Sequence, residues 1–265
     1  MTTSTIAKAI QFVVEQGNTI ELARLRYLRE HVPSEAAIIA QFAEMHRPDG
    51  GWSPFWAADY SSVDATCYHL TQADQLGLDQ RAAVVQRAID FLLSRQREDG
   101  SWQEAATVTE SAPPWAVPGD LAATLYLTAN SGYWVARFAP SADSGKRAAT
   151  FLASYHTNGQ LPSFLHTHWL AAALWYSLGE RDAAAQTLAY LQSQVATMSA
   201  DNLAWLVTTV RTVAVPATHP LLAAAIARLT EQQQADGHWH SDDGPAFRVH
   251  VTLEALRALH LCGAF

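Results

Sequence analysis

The chain has 265 residues, 49% hydrophobic and only 16% charged, a balance that excludes a disordered or coiled-coil chain. Seventeen basic against 25 acidic residues give a net charge of −8, and Lys8 and Lys146 are the only lysines, so neither a nucleic-acid groove nor a polybasic membrane anchor is expected. Cys67 and Cys262 lie far apart, which excludes a disulfide framework and a cysteine-rich zinc module.

From the N-terminus, Met1-Thr2-Thr3-Ser4-Thr5 leads into an apolar run broken by Lys8 and Gln11, too short and too interrupted for a secretory leader. No stretch approaches the ~18 apolar residues of a spanning helix, so a cytoplasmic protein is expected. Periodicity predicts helices over residues 6–16 and 20–31 as an opening pair. A repeat then begins, in which an amphipathic helix runs into Asp-Gly-x-Trp. Its copies are Asp49-Gly50-Gly51-Trp52, Asp99-Gly100-Ser101-Trp102 and Asp236-Gly237-His238-Trp239. Gln96 and Gln233 stand three positions before the Asp, where the first copy has His46. The gap from Asp99 to Asp236 holds room for three units of ~46 residues, and two worn copies occupy it, one ending at Asn158-Gly159 and one around Thr187-Leu188-Ala189. The glycine supplies a left-handed helix stop, and the Gln amide is placed to bond carbonyls freed by the turn. Such turns read as structural cement rather than as chemistry.

After each turn a second, more apolar helix begins. These helices start near Asp64, Asp120, His166, Asp201 and His250, and the three aspartates sit where an N-cap or first-turn acid belongs. No strand pattern emerges. Six pairs, twelve helices in all, predict a single all-α domain over residues 1–265. Exposed and buried helices in alternation close naturally into an α6/α6 toroid, with the inner helix starts gathered at one end.

The Gln-x-x-Asp-Gly-x-Trp turns resemble the tryptophan-containing repeats of the terpenoid cyclase and protein prenyltransferase superfamily, over roughly residues 35–263. That resemblance implies the α/α toroid and offers three functions. In the class II cyclases, among them the squalene–hopene cyclases, an aspartic acid at the start of an inner helix protonates an alkene or epoxide. Ser62-Val63-Asp64-Ala65-Thr66-Cys67 resembles that Asp-x-Asp-Asp-Thr-Ala stretch. Asp64 matches the proton donor and Thr66 the threonine, while Ser62 and Ala65 replace the flanking carboxylates. Asp64 equally reads as a plain helix cap. The chemistry needs a buried, protonated carboxyl with a polarising neighbour, for which His250 and His166 stand at the corresponding helix starts. It also needs aromatic faces for a carbocation, and Phe55, Trp56, Tyr68, Trp115, Trp169, Trp205 and Phe247 lie near the expected mouth or inner faces. An apolar isoprenoid substrate follows, with no cofactor required.

A zinc-dependent prenyltransferase-like protein is the second implied function, with Asp64, Cys67 and His250 as the metal set. Its diphosphate pocket would need cations, for which only Arg24, Arg26, Arg137 and Arg248 are placed, and it would need a partner subunit. A magnesium site is disfavoured because no helical Asp-Asp-x-x-Asp run occurs. The third function is a non-catalytic toroid binding an apolar ligand or a partner protein, its open end closed by a homodimer or by a second toroid chain. The acidic turn Asp242-Asp243-Gly244-Pro245 would then decorate the rim, though such turns are mostly solvated loops. The loops over residues 50–56 and 111–118 are the expected substrate contacts. Phosphate-cradling glycine loops, nucleophile elbows and zincin helices are absent.

Overall fold

The computed structural model describes residues 3–265; Met1 and Thr2, which open the N-terminal segment read above, lie outside the described residues. Among the described residues there are twelve α-helices and no strand. In chain order they are α1 (Thr3–Gln16), α2 (Thr19–Glu30), α3 (Ala36–Glu44), α4 (Val63–Gln75), α5 (Ala83–Arg95), α6 (Leu121–Phe138), α7 (Ser144–Ala153), α8 (Leu165–Leu178), α9 (Arg181–Gln194), α10 (Ala200–Thr212), α11 (Pro220–Glu231) and α12 (Arg248–Leu261). The chain forms two compact units, Pro33–Thr187 and a second made of residues up to Val32 with Leu188–Phe265. In the first, α6 packs against α4, α5, α7 and α8; in the second, α12 packs against α1, α2, α10 and α11.

The two helix types differ in burial as their sequences demand. α6 buries every residue from Ala123 to Val135, and α8 every residue from Thr167 to Trp175. α5 buries Val84, Val85, Ala88, Ile89, Phe91 and Leu92, a single stripe at helical spacing. The helix starts separate two roles that the sequence left joined. Asp120 caps α6, accepting from the Ala123 N–H at 2.8 Å. The caps of α4 and α10 are serines, Ser62 accepting from Ala65 and Ser199 from Asn202. Asp64 and Asp201 lie two residues inside those caps, so the cap reading of Asp64 is corrected: Ser62 does that work.

The repeated turns are built alike. Gly50, Gly100 and Gly237 have φ of 89°, 91° and 102°. The Gln96 amide donates to the Gly100 carbonyl at 3.0 Å and the Gln233 amide to the Gly237 carbonyl at 2.8 Å, as expected from the sequence. The indoles of Trp102 and Trp239 are fully buried and donate at 2.7 Å to the carbonyls of Leu92 and Leu229, one helix back. Trp52 makes no such bond; the His46 and His69 rings pack against it with centroids at 3.8 and 4.8 Å.

Each of these glycines is needed for close approach as well as for φ. A Cβ at Gly100 would stand 2.7 Å from the Arg147 carbonyl oxygen on α7, whereas one at Gly179, with φ of 86°, would meet nothing within 4 Å. Both substitutions by alanine strain the left-handed backbone by roughly 1 kcal/mol. Gly100→Ala must also push α7 away, so its loss of stability in urea is expected to exceed that of Gly179→Ala by about 1 kcal/mol or more. Equal losses would show that the helix contact yields freely.

Candidate active site

A third recurring bond fixes how the helix pairs correspond. The backbone N–H of each repeat tryptophan donates to a threonine hydroxyl on the following buried helix: Trp52 to Thr66 at 3.2 Å, Trp102 to Thr128 at 3.0 Å and Trp239 to Thr252 at 3.3 Å. In a worn copy Leu161 donates in the same way to His168 Nε2 at 3.1 Å. Two residues before these acceptors stand Asp64, Tyr126, His250 and His166. The alignment through Asp120 is therefore corrected: a long insertion before α6 moves the corresponding position six residues on, from Asp120 to Tyr126, and Tyr126 is the counterpart of Asp64.

Three of these four residues lie in one unit and meet on adjacent helices. Tyr126 donates its hydroxyl proton to Asp64 Oδ1 at 2.6 Å. Trp115, on a single 3-10 turn at Pro114–Ala116, donates its indole N–H to Asp64 Oδ2 at 3.0 Å. The His166 ring meets that of Tyr126 edge-on at 4.4 Å and stacks on Phe164 at 5.4 Å. Behind Tyr126, the Asn130 amide donates to its hydroxyl at 3.2 Å. Below Asp64 lies Glu104, 3% exposed, which accepts from Ser62, Tyr60 and two backbone amides of α4.

Asp64 is half-buried, and the protein packed around its carboxyl group governs its titration. Burial, reinforced by the Glu104 charge, raises it from 3.8 to about 6, against the pull of the Tyr126 and Trp115 hydrogen bonds. Burial and the Asp64 carboxylate push Tyr126 well above its ordinary value, so it remains a donor. His166 is lowered to about 4 by burial and the neighbouring His168, and stays neutral at pH 7. The hydrogen-bond donors to Asp64 are thus a tyrosine and a tryptophan; His166 reaches the acid through the Tyr126 ring.

The other expected residues are placed as follows. Trp169 is fully buried on α8, 6.0 Å from His166. Tyr68 is one turn along α4 from Asp64 and 38% exposed. On the loop before α4, Phe55 is 87% exposed and Trp56 half-buried, its ring 6.1 Å from Tyr60. His250, Trp205 and Phe247 belong to the other unit. There the His250 Nδ1 lies 3.2 Å from the buried Arg24 guanidinium, which pairs with Glu254 at 3.4 Å; burial and Arg24 lower His250 to about 4. Among the described residues no three His, Cys, Asp or Glu side chains gather as a metal site would require, and burial raises the Cys67 thiol well above its ordinary value. That geometry lends the zinc alternative no support. Surface grooves of about 410 Å³ beside Arg81 and Arg137 and about 420 Å³ beside Lys146 and Arg147 do not include Asp64.

Sequence reasoning missed Tyr126, Glu104 and Asn130. A signal for Tyr126 was present: Asp64-Ala65-Thr66, Tyr126-Leu127-Thr128 and His250-Val251-Thr252 share their threonine. Glu104 gave none, since a lone acid after a turn reads as solvated.

Residues 15–129 match the squalene–hopene cyclase C-terminal domain family. Searching curated proteins gives no match. Among solved structures, the type II terpene cyclase MstE from Scytonema matches in its apo form with a TM-score of 0.64 and 16% identity, covering 99% of this chain and 98% of that one. Two variants of the same enzyme match at 16% identity over 99% of this chain and 97% of theirs, one holding its substrate geranylgeranyl dihydroxybenzoate (TM-score 0.64) and one its product merosterolic acid A (0.65). The chain has the terpenoid cyclase fold. That fold is the all-α helical toroid expected from the repeats, and its likeness to MstE runs over nearly the whole of both chains. No described helix is long and apolar enough to cross a membrane.

Proposed function

We propose that this terpenoid cyclase relative is a class II cyclase, an isomerase or lyase in which Asp64 protonates an alkene or epoxide of an apolar isoprenoid. The observation that carries this reading is the half-buried Asp64 carboxyl held by two donors in the first turn of α4. Each carboxyl oxygen accepts one hydrogen bond, which leaves a lone pair for the acid proton. In the reaction the Asp64 O–H bond breaks, the alkene π pair forms a new C–H bond, and a carbocation remains on the substrate. Tyr126 and Trp115 then stabilise the carboxylate left behind, and the faces of nearby aromatic rings favour the cation without attacking it. Cyclisation ends when a proton returns to a base, so the catalyst is regenerated. A neutral His166 suits this site better than an imidazolium would, because a second cation would oppose the first. Phe55, Trp56, Tyr68 and Trp169, in the same unit as Asp64, are assigned to substrate shaping in the same reading; a single domain in the cytoplasm completes it.

The test is incubation with geranylgeranyl dihydroxybenzoate in D2O, expected to give a cyclised product carrying solvent deuterium at the protonated carbon. A chain that retains a lipophile through purification yet converts no polyprenyl substrate would leave only the binding alternative standing. Tyr126→Phe removes a hydrogen bond that favours the Asp64 carboxylate, so the pH above which turnover declines is expected to move upward while kcat falls. A pH profile that keeps its position would show that the tyrosine does not act on the acid.

A further inference from the structure

We infer that Glu104 is a positioning residue for the proton donor, a fixed negative charge at the start of α4 that keeps Asp64 in its acid form. The inference rests on the function proposed above and adds a residue that no cyclase resemblance supplies. Glu104 is buried, and every contact it makes is a donor. Ser62 Oγ lies at 2.6 Å, Tyr60 Oη at 2.9 Å, Val63 N at 3.0 Å and Asp64 N at 3.1 Å. Amide nitrogens can only donate. The two hydroxyls each accept one bond, Ser62 Oγ from Ala65 N–H at 3.1 Å and Tyr60 Oη from Ala105 N–H at 2.7 Å, and each donates its own proton to Glu104. Four donors and the positive end of a helix hold a carboxylate in its charged form.

This arrangement answers the loss of the two flanking acids around Asp64. Ser62, standing where one of them would be, does not supply charge itself but binds one that arrives from the loop after Trp102. The same Glu104 fixes the Asp64 backbone N–H, so charge and geometry are set together. The other titratable groups facing the acid are Tyr126 from α6 and Cys67 on α4, both held neutral by burial, and Tyr60, which lies beyond Glu104; Arg95 of α5 acts on Tyr60.

Carboxyl titration by 13C NMR tests this directly on the folded chain. In the parent, the Asp64 midpoint is expected above the ordinary carboxylate value, at about 6. In Glu104→Gln, the Asp64 midpoint is expected to fall by about one pH unit, which lowers its protonated fraction above that midpoint about tenfold. With geranylgeranyl dihydroxybenzoate, kcat at pH 7.5 is then expected to drop about tenfold with KM unchanged, the deficit to shrink at pH 6, and Glu104→Asp, which keeps the charge, to recover most of it. An unmoved Asp64 midpoint or a turnover loss equal at both pH values would overturn the inference. A parent whose Asp64 midpoint lies at the ordinary carboxylate value overturns it even if Glu104→Gln does not fold. A parent that makes no cyclised product, with the Asp64 midpoint still depending on Glu104, would sink the cyclase reading and leave the coupling standing.

Discussion

Asp64→Asn is expected to abolish cyclisation, by ~10²–10⁴-fold or more, because an amide carries no transferable proton. The fold is expected to survive. The amide oxygen can accept from Trp115, and the Tyr126 hydroxyl can turn to accept from the new NH2. A second signature separates loss of the acid from loss of structure. The Asp64 carboxyl ionises near 3.8 in an unfolded chain and near 6 in the folded one. Folding is therefore favoured by this group below pH ~4, and that contribution is lost as the pH rises through 6, by roughly 3 kcal/mol once complete. The Asn variant has no such group. Relative to the parent it should gain stability between pH 5.5 and pH 8, by about 1 kcal/mol over that part of the transition, as read by urea unfolding at both. A pH-independent stability difference, or turnover within tenfold of the parent, would remove Asp64 from the mechanism.

Acid should unfold the protein for the opposite reason. His46, His69, His166 and His250 are all lowered from 6.5 to about 4, in each case chiefly by burial. Each contributes stability that is complete above pH 6.5 and is lost as the pH falls through 4. At full extent each accounts for roughly 3 kcal/mol, against a typical net stability of ~5–15 kcal/mol for a whole domain. Two of the four flank Trp52, so protonating them drives charge into the first repeat turn itself. Asp64 and Asp201, both raised to about 6 by burial, oppose the trend, but two groups do not offset four. The melting temperature followed by circular dichroism is expected to be level from pH 7 to 8 and to fall by ten degrees or more on reaching pH 5. A level curve down to pH 4.5 would mean that these imidazoles reach water in the native state.

The two effects bear on each other. In the reaction proposed above, a donor near 6 would work best in mildly acidic solution, where the neutral histidines begin to fail. The expected window of activity is therefore narrow, and the charge proposed for Glu104 would widen it by keeping the proton on Asp64 toward higher pH.

The amino-acid sequence by itself determined the helices, their caps and their stops. Asp-Gly-x-Trp is a local signal: a glycine that must turn left-handed, a glutamine that reaches its own turn, and an apolar stripe whose period reports one buried face. Twelve helices follow from such signals, and so does the position of Asp64 in the first turn of a buried one. Tertiary structure alone decided which atoms Asp64 meets. Trp115, Tyr126 and Glu104 lie 51, 62 and 40 residues away in the chain. Their approach depends on how far α6 is displaced along α4, and periodicity is blind to that displacement because α6 buries every residue from Ala123 to Val135, so its apolar pattern marks no single face. The insertion before α6 set the register, leaving Asp120 at the cap and bringing a tyrosine hydroxyl to the acid.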